Sequence, residues 1–201
     1  MRRQILLDHN AGVWDGTFVR FDGSGRELER FGSHLEVVDR AGIIHADLTN
    51  RSSGAVRSMQ FAEPPAEMQI SPQGHWSLGP DRIGPWPWVC ELCLVWGEHR
   101  RRVVVRHHSS GLDSLVLVAE GRPGSEPEPP ASPMQARATA QGADRNRWSF
   151  GQDPTVWVTT MAHRAPGQPE EVVLGWQPQP GQSLQIERRY SEHGLLVALE
   201  A

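Results

Sequence analysis

The chain has 201 residues, 38% of them apolar, with 20 glycines and 16 prolines, and its 20 basic and 24 acidic side chains give a net charge of −4. Every basic residue is an arginine; the lack of lysine excludes Schiff-base chemistry and a lysine-bearing phosphate loop. The balanced charge argues against nucleic acid as a partner, and no apolar run approaches a membrane span.

The two cysteines, Cys90 and Cys93, are too few for a disulfide scaffold. No signal peptide is legible in "MRRQILLDHN", so a reducing, cytoplasmic setting is the expectation. Eight tryptophans stand against one tyrosine, Tyr190, and such large side chains can dominate a small core.

Residues 2–9 have room for one or two helical turns, after which the pattern is almost wholly strand and turn. In "NAGVWDGTFVRF", residues 10–21, Gly12, Trp14, Gly16 and Phe18 share one parity, and Asp15 and Thr17 take the other. Glycines flanking an indole let another group approach it closely. "FGSHLEVV" aligns Phe31, Leu35 and Val37; "IIHADLTN" aligns Ile44, Ala46 and Leu48; "AVRSMQF" aligns Arg57, Met59 and Phe61. A short strand is expected in "HWSLGP", residues 75–80. In "WVCELCLVW", Trp88, Cys90, Leu92, Leu94 and Trp96 share a face. "RRVVVRHH" and "SLVLVAE" are further strands. Turn signals every 8–12 residues favour a sandwich or barrel over a parallel sheet with helices.

Composition breaks at residues 121–146, "GRPGSEPEPPASPMQARATAQGADRN", which lack aromatics and, apart from Thr139, β-branched side chains. The segment reads as a flexible loop, a plain spacer rather than a binding segment. Four strands are expected beyond it, in "PTVWVTTMA", "EEVVLGW", "QSLQIERRY" and "GLLVALE". About fifty residues are too few for an independent core, so these strands are expected to complete the first sheet.

Arg188 lies in the apolar register of Leu184, Ile186 and Tyr190 and needs a partner. A guanidinium stacks well on an indole, and in a closed barrel an early and a late strand are neighbours. Arg188 on Trp14, with Gly16 giving clearance, would tie such a barrel shut; the alternative is an Arg188 that snorkels to solvent.

Gly12-x-Trp14 on a first strand with an arginine on a late one resembles the calycin superfamily, which includes lipocalins and fatty-acid-binding proteins. "HNAGVWDGTFVRFDGSGRELERFGSHLEV", "GHWSLGPDRIGPWPWVCELCLV" with "RRRVVVRHHSSGLDSLVLVAE", and "RRYSEHGLL" resemble the cyanobacterial and chloroplast family DUF3598. That resemblance implies a lipocalin-like fold and no assigned activity. Cyanobacterial calycin relatives include bilin lyases, which carry open-chain tetrapyrroles to phycobiliprotein cysteines.

Each candidate site residue has a plain alternative. Cys90 and Cys93 spell C-x-x-C, but an odd separation in a strand puts the thiols on opposite faces, as packing residues rather than a redox or zinc pair. His107 shares the parity of Val103 and Val105, with Arg102 and Arg106 on the outward parity; it either meets a polar ligand group at the barrel mouth or is an ordinary hairpin-end histidine. Arg57 points inward with Met59 and Phe61 and suits a ligand carboxylate, unless a bulge turns it out or an internal acid pairs with it. Trp86 and Trp88, beside the rigid units Gly84, Pro85 and Pro87, either gate a pocket or plug the barrel end.

The expectation is one all-β domain over residues 1–201: a calycin-like antiparallel barrel of about ten strands, with a short N-terminal helix and the 121–146 loop. It would bind, non-covalently, a hydrophobic, acid-bearing small molecule such as a tetrapyrrole or lipid. Trp88, Trp96 and Trp157 would supply the wall, Arg57 and His107 the polar end, and Trp14 with Arg188 the closure. A bilin lyase serving a phycobiliprotein, and a filled barrel acting as a protein-interaction module, are the alternatives. No catalytic nucleophile and no metal-ligand spacing are recognisable.

Overall fold

The computed structural model describes residues 1–109, 111–151, 153–165 and 167–199. Among these residues there is one helix, α1 (Arg2–Asn10), and fourteen strands. The strands are β1 (Gly12–Asp22), β2 (Glu27–Arg40), β3 (Ile43–Asn50), β4 (Val56–Phe61), β5 (Gln69–Ile70), β6 (Trp76–Leu78), β7 (Trp88–Trp96), β8 (His99–His107) and β9 (Leu112–Gly121), then β10 (Ala136–Gln141), β11 (Arg145–Phe150), β12 (Asp153–Met161), β13 (Glu170–Gln179) and β14 (Gln182–Tyr190). All pairings between strands are antiparallel.

The first nine strands form one sheet in the order β4-β3-β2-β1-β9-β8-β7-β6-β5, and the last five form a second, β10 to β14 in sequence order. The nine-stranded sheet curls until residues of β3 and β4 and residues of β6 and β7 line one cavity. Its end strands β4 and β5 are not hydrogen-bonded to each other, so it makes a calycin-like half-barrel rather than a closed one. Turn chemistry sets the hairpins: Ala41 and Gly42, with φ of 51° and 86°, form the two-residue link between β2 and β3, and Asp39 accepts the Gly42 N–H at 2.9 Å.

The sheet buries residues on both faces, against different things. The convex face carries Val19, Phe21, Cys90, Leu92, Val103, Val105, Leu115 and Leu117 and packs on Phe150, Val158, Val172, Leu174 and Ile186 of the second sheet. The concave face carries Trp14, Leu35, Val37, Trp76, Cys93 and Val95, with Leu6 of α1 packed on them at one end. Asn10 fixes the helix there: its carbonyl accepts from Trp14 Nε1 at 3.0 Å and its Oδ1 accepts from Trp76 Nε1 at 3.1 Å. Arg3 adds an ion pair to Asp39 at 2.6 Å.

Three expectations are corrected. The strands beyond residue 146 build their own sheet instead of completing the first. "GLLVALE" forms no strand among the described residues; Leu195 and Leu196 make only isolated bridges, to Arg82 and Tyr190. The 121–146 segment is not one loop, because β10 and the start of β11 lie in it. Its connecting part is also held: Arg30 donates to the Pro130 carbonyl at 2.6 Å, Glu27 accepts from the Met134 N–H at 2.5 Å, and Met134 and Ala136 are buried. Arg30 and Glu27, on β2, supply partners that the composition of the segment does not reveal.

Candidate functional site

The register assembles the concave wall row by row. Trp14 faces Leu35, Leu35 faces Leu48, and Leu48 faces Arg57. Phe18 stacks on Phe31 with ring centroids 4.5 Å apart. On the other side of β1, Arg20 faces Val116, Val116 faces Val104, and Val104 faces Glu91. The curl encloses a cavity of about 430 Å³, walled by Phe18, Leu35, Val37, Leu48, Phe61, Trp76, Val104 and Val116. A smaller space of about 150 Å³ adjoins it at the rim, where Arg20, Arg57 and Arg106 meet Glu29 and Phe31. Phe18, Leu48, Arg57, Arg106 and Val116 line both, so the two are one trough.

The rim arginines differ from those deeper in. Arg57 and Arg106 are exposed and, among the described residues, neither has a hydrogen-bonding or ion-pairing partner; Arg20 Nε is buried without one. Toward α1, Arg100 and Arg102 share a fully buried carboxylate. Glu120 Oε2 accepts from Arg100 Nε at 2.8 Å and Arg102 Nε at 2.9 Å, and Oε1 accepts from Arg102 Nη2 at 2.7 Å. Arg102 Nη1 reaches Glu91 at 2.5 Å. Burial alone would raise the Glu120 pKa, but the two guanidiniums outweigh it and hold the group down at about 2. Burial likewise opposes charge on Arg102, and Glu120 with Glu91 overcome it, so its pKa is raised.

Trp14 is buried between two cations, neither of them Arg188. Arg100 sits 4.3 Å from its ring centroid and Arg122 sits 3.8 Å away. Gly16 gives clearance to a backbone: a Cβ there would lie 2.0 Å from the Ala119 carbonyl oxygen of β9. Arg188 is also buried, but it donates to Tyr190 Oη at 2.7 Å and to the carbonyls of Glu67, Gly79 and Pro80 at 2.9, 2.7 and 2.8 Å. It pins the β4–β5 and β6–β7 connections onto the second sheet, and the expected Trp14–Arg188 closure is replaced by this pair of separate anchors.

Of the residues expected to hold a ligand, Arg57 lines the cavity, though exposed at an edge strand rather than desolvated in a wall. Trp88 and His107 lie on the opposite face, stacked at 4.4 Å in the core between the sheets, with Tyr190 edge-on to Trp88 at 5.3 Å. Burial, with Arg164 nearby, pushes the His107 pKa down to about 3, so the ring is neutral. Trp96 packs against the same core. Trp157 is on the second sheet, under Arg147 at 4.2 Å and against Gly175. Trp88 is thus a core residue, whereas Trp86, 51% exposed, borders a separate cleft of about 260 Å³ with Arg82 and Arg164. The thiols do lie on opposite faces, Cys90 toward the second sheet and Cys93 in the concave cluster, both buried and both pushed up to about 12 by burial. Among the described residues no group of three or more His, Cys, Asp and Glu side chains is placed to hold a metal ion.

The sequence reading missed Arg20, Arg100, Arg102, Arg106, Glu91 and Glu120. The signal was present in "HRRRVVVRH": Arg100, Arg102, Val104 and Arg106 share a parity, and Glu120 ends "SLVLVAE" on the parity of Val116 and Val118. Arginine on alternate positions reads as a solvent-facing parity, whereas in β8 that parity faces the inside of the half-barrel.

No family model and no curated protein match this chain. Among solved structures, a protein of unknown function from the DUF3598 family of Nostoc punctiforme superposes with a TM-score of 0.74 at 19% identity, over 98% of this chain and 95% of that one. The fold of this chain is therefore that of a DUF3598 protein. Among the described residues, no helix is long and apolar enough to cross a membrane.

Proposed function

We propose that the concave trough is a carrier site that binds, non-covalently, a hydrophobic small molecule with an acidic group, a lipid or an open-chain tetrapyrrole. The observation that carries this reading is the pairing of an apolar cavity of about 430 Å³ with rim arginines, Arg57 and Arg106, that have no partner of their own among the described residues. Small-molecule sites run from roughly 300 to 1,000 Å³, mostly apolar with a few placed polar groups. A guanidinium receives a carboxylate in bidentate fashion, and one at a half-covered rim is more effective than one in open water. The cavity also favours a carrier over a filled barrel that serves only as an interaction module.

Tryptophan fluorescence tests the proposal, since Trp76 lines the cavity. Hexadecanoic acid and biliverdin are titrated beside their methyl esters. The acids are expected to bind about tenfold more tightly than the esters, a difference of the size of one charge-assisted hydrogen bond. The double substitution Arg57→Met with Arg106→Met should bring acid and ester together, and Trp76→Phe should remove most of the quenching. Equal binding of acid and ester by the unaltered protein removes the acidic group from the proposal; no binding of any of them removes the carrier.

A further inference from the structure

The geometry points to a ligand that is polar at both ends: an acidic group at the rim arginines and a neutral oxygen acceptor, a hydroxyl or carbonyl, at the α1 end, received by Arg100. This rests on the carrier reading above and specifies the ligand class.

Arg100 and Arg102 are neighbours on the concave parity of β8, both buried, and their bonding differs. Arg102 uses Nε, Nη1 and Nη2 on Glu120 and Glu91. Arg100 gives Nε to Glu120, stacks on Trp14, and leaves Nη2 buried without any partner. Arg100 lines the large cavity but not the rim space, which places this donor at the end away from Arg57 and Arg106. A buried guanidinium N–H with no acceptor is an exception among folded proteins and asks for an acceptor. Asn10, the last residue of α1, also lines the cavity but is engaged elsewhere, its Oδ1 accepting from Trp76 and its Nδ2 donating to the Gly74 carbonyl.

Charge decides the nature of that acceptor. Arg100 and Arg102 are balanced by Glu120 and Glu91 through the ion pairs just described, so the deep end needs no second anion. The rim, with Arg57 and Arg106 unpaired, does take one. Arg100 and Arg106 are six residue steps apart along β8, which at about 3.3 Å per step is roughly 20 Å. Phe18, Leu35, Val37, Trp76 and Val116 line the intervening wall, which suits a methylene chain of that length. A long-chain acid oxygenated at its far end meets all three conditions.

The test compares hexadecanoic acid with 16-hydroxyhexadecanoic acid, and octanoic acid with 8-hydroxyoctanoic acid, by tryptophan fluorescence on the full chain. The terminal hydroxyl should tighten binding of the long acid about tenfold and leave the short acid, which cannot span both ends, unchanged. Arg100→Lys keeps the charge beside Glu120 but removes Nη2, and it should abolish the hydroxyl's advantage, so that the two long acids bind alike whatever their common affinity. A hydroxyl that confers nothing on the long acid, or confers as much on the short one, overturns the inference without using any variant. An advantage that survives Arg100→Lys overturns the role of Arg100. Failure of every acid to bind sinks the carrier reading itself, an outcome distinct from binding without preference for the hydroxyl.

Discussion

The two faces of the nine-stranded sheet are built on opposite chemistry. The convex face meets the second sheet through interdigitated aliphatic and aromatic side chains, among them Leu92, Val103, Val105 and Leu115, all fully buried. The concave face is packed with apolar side chains beside α1, and five arginines, Arg100, Arg102, Arg106, Arg20 and Arg57, line its trough from that end to the rim. A flat sheet facing a second sheet can exclude water everywhere, whereas a sheet curling on itself with unpaired edges leaves a cavity whose polar groups need partners. The convex face is the one that holds the fold together, and the concave face is the one free to bind.

The largest effect expected is at the one place where the concave face is packed like a core. Trp14→Ala removes a buried indole held between Arg100 and Arg122 and bonded to Asn10, and should cost about 3–5 kcal/mol in urea unfolding. A cost near 1 kcal/mol would mean that α1 does not seal that end.

Next comes a direct comparison of the two faces. Leu115→Ala, on the convex side, should cost about 3 kcal/mol, while Leu48→Ala, on the half-buried trough wall, should cost about 1. Equal losses would break the distinction, because they would make the trough wall part of the core. Arg57→Met should change stability by less than about 0.5 kcal/mol, as expected of an exposed edge residue without a partner.

Acid sharpens the comparison through groups on both faces. Burial pushes His107 down to about 3 and, with His9 nearby, His75 to about 4, below the ordinary histidine value of 6.5. The unfolded chain therefore takes up these protons first, so stability is full above pH 6.5 and falls as pH drops toward 4 and then 3. Each histidine should remove up to about 2 kcal/mol between pH 7 and 5. Glu120 acts in a lower window: its folded pKa of about 2 lies below the ordinary 4.5, so its contribution is present above pH 4.5 and lost as pH falls to 2. Urea midpoints at pH 7, 5 and 3 follow the decline, and His107→Phe should shrink the loss both from pH 7 to 5 and from pH 5 to 3, leaving in the lower window what Glu120 contributes. A midpoint flat from pH 7 to 5 would contradict the burial of these rings.

The smallest effect is chemical. Cys90 and Cys93 should resist alkylation at pH 8 in the native protein, since burial raises both thiols to about 12, and should react together once urea unfolds the chain. Selective native labelling of Cys93 would show that the trough opens far enough to expose its α1 end.

Alternation alone determined much of this protein. It placed Trp14 in a buried row, put the two thiols on opposite faces, and marked the strands from β1 through β9 apart from the two-residue β5. These features depend on side chains at odd or even spacing and on residues such as Gly42 that a tight turn requires, and both are local. What alternation lacks is a sign: it separates two faces without saying what each one meets. In β8 both faces are buried around Arg102, so the parity of Arg102 and Arg106, which reads as outward, faces the inside of the half-barrel, where Glu120 on β9 provides the buried counter-charge to Arg100 and Arg102. The partner of Trp14 was hidden for the same reason, because Arg100 and Arg122 reach it only through pairing between β1, β9 and β8. Only the tertiary structure decided that the last five strands form a separate sheet, that Trp88 and His107 belong to the core between sheets, and that the trough is lined by arginine. Each of these is a contact between segments far apart in the chain, fixed by register and curl rather than by any residue's own preference.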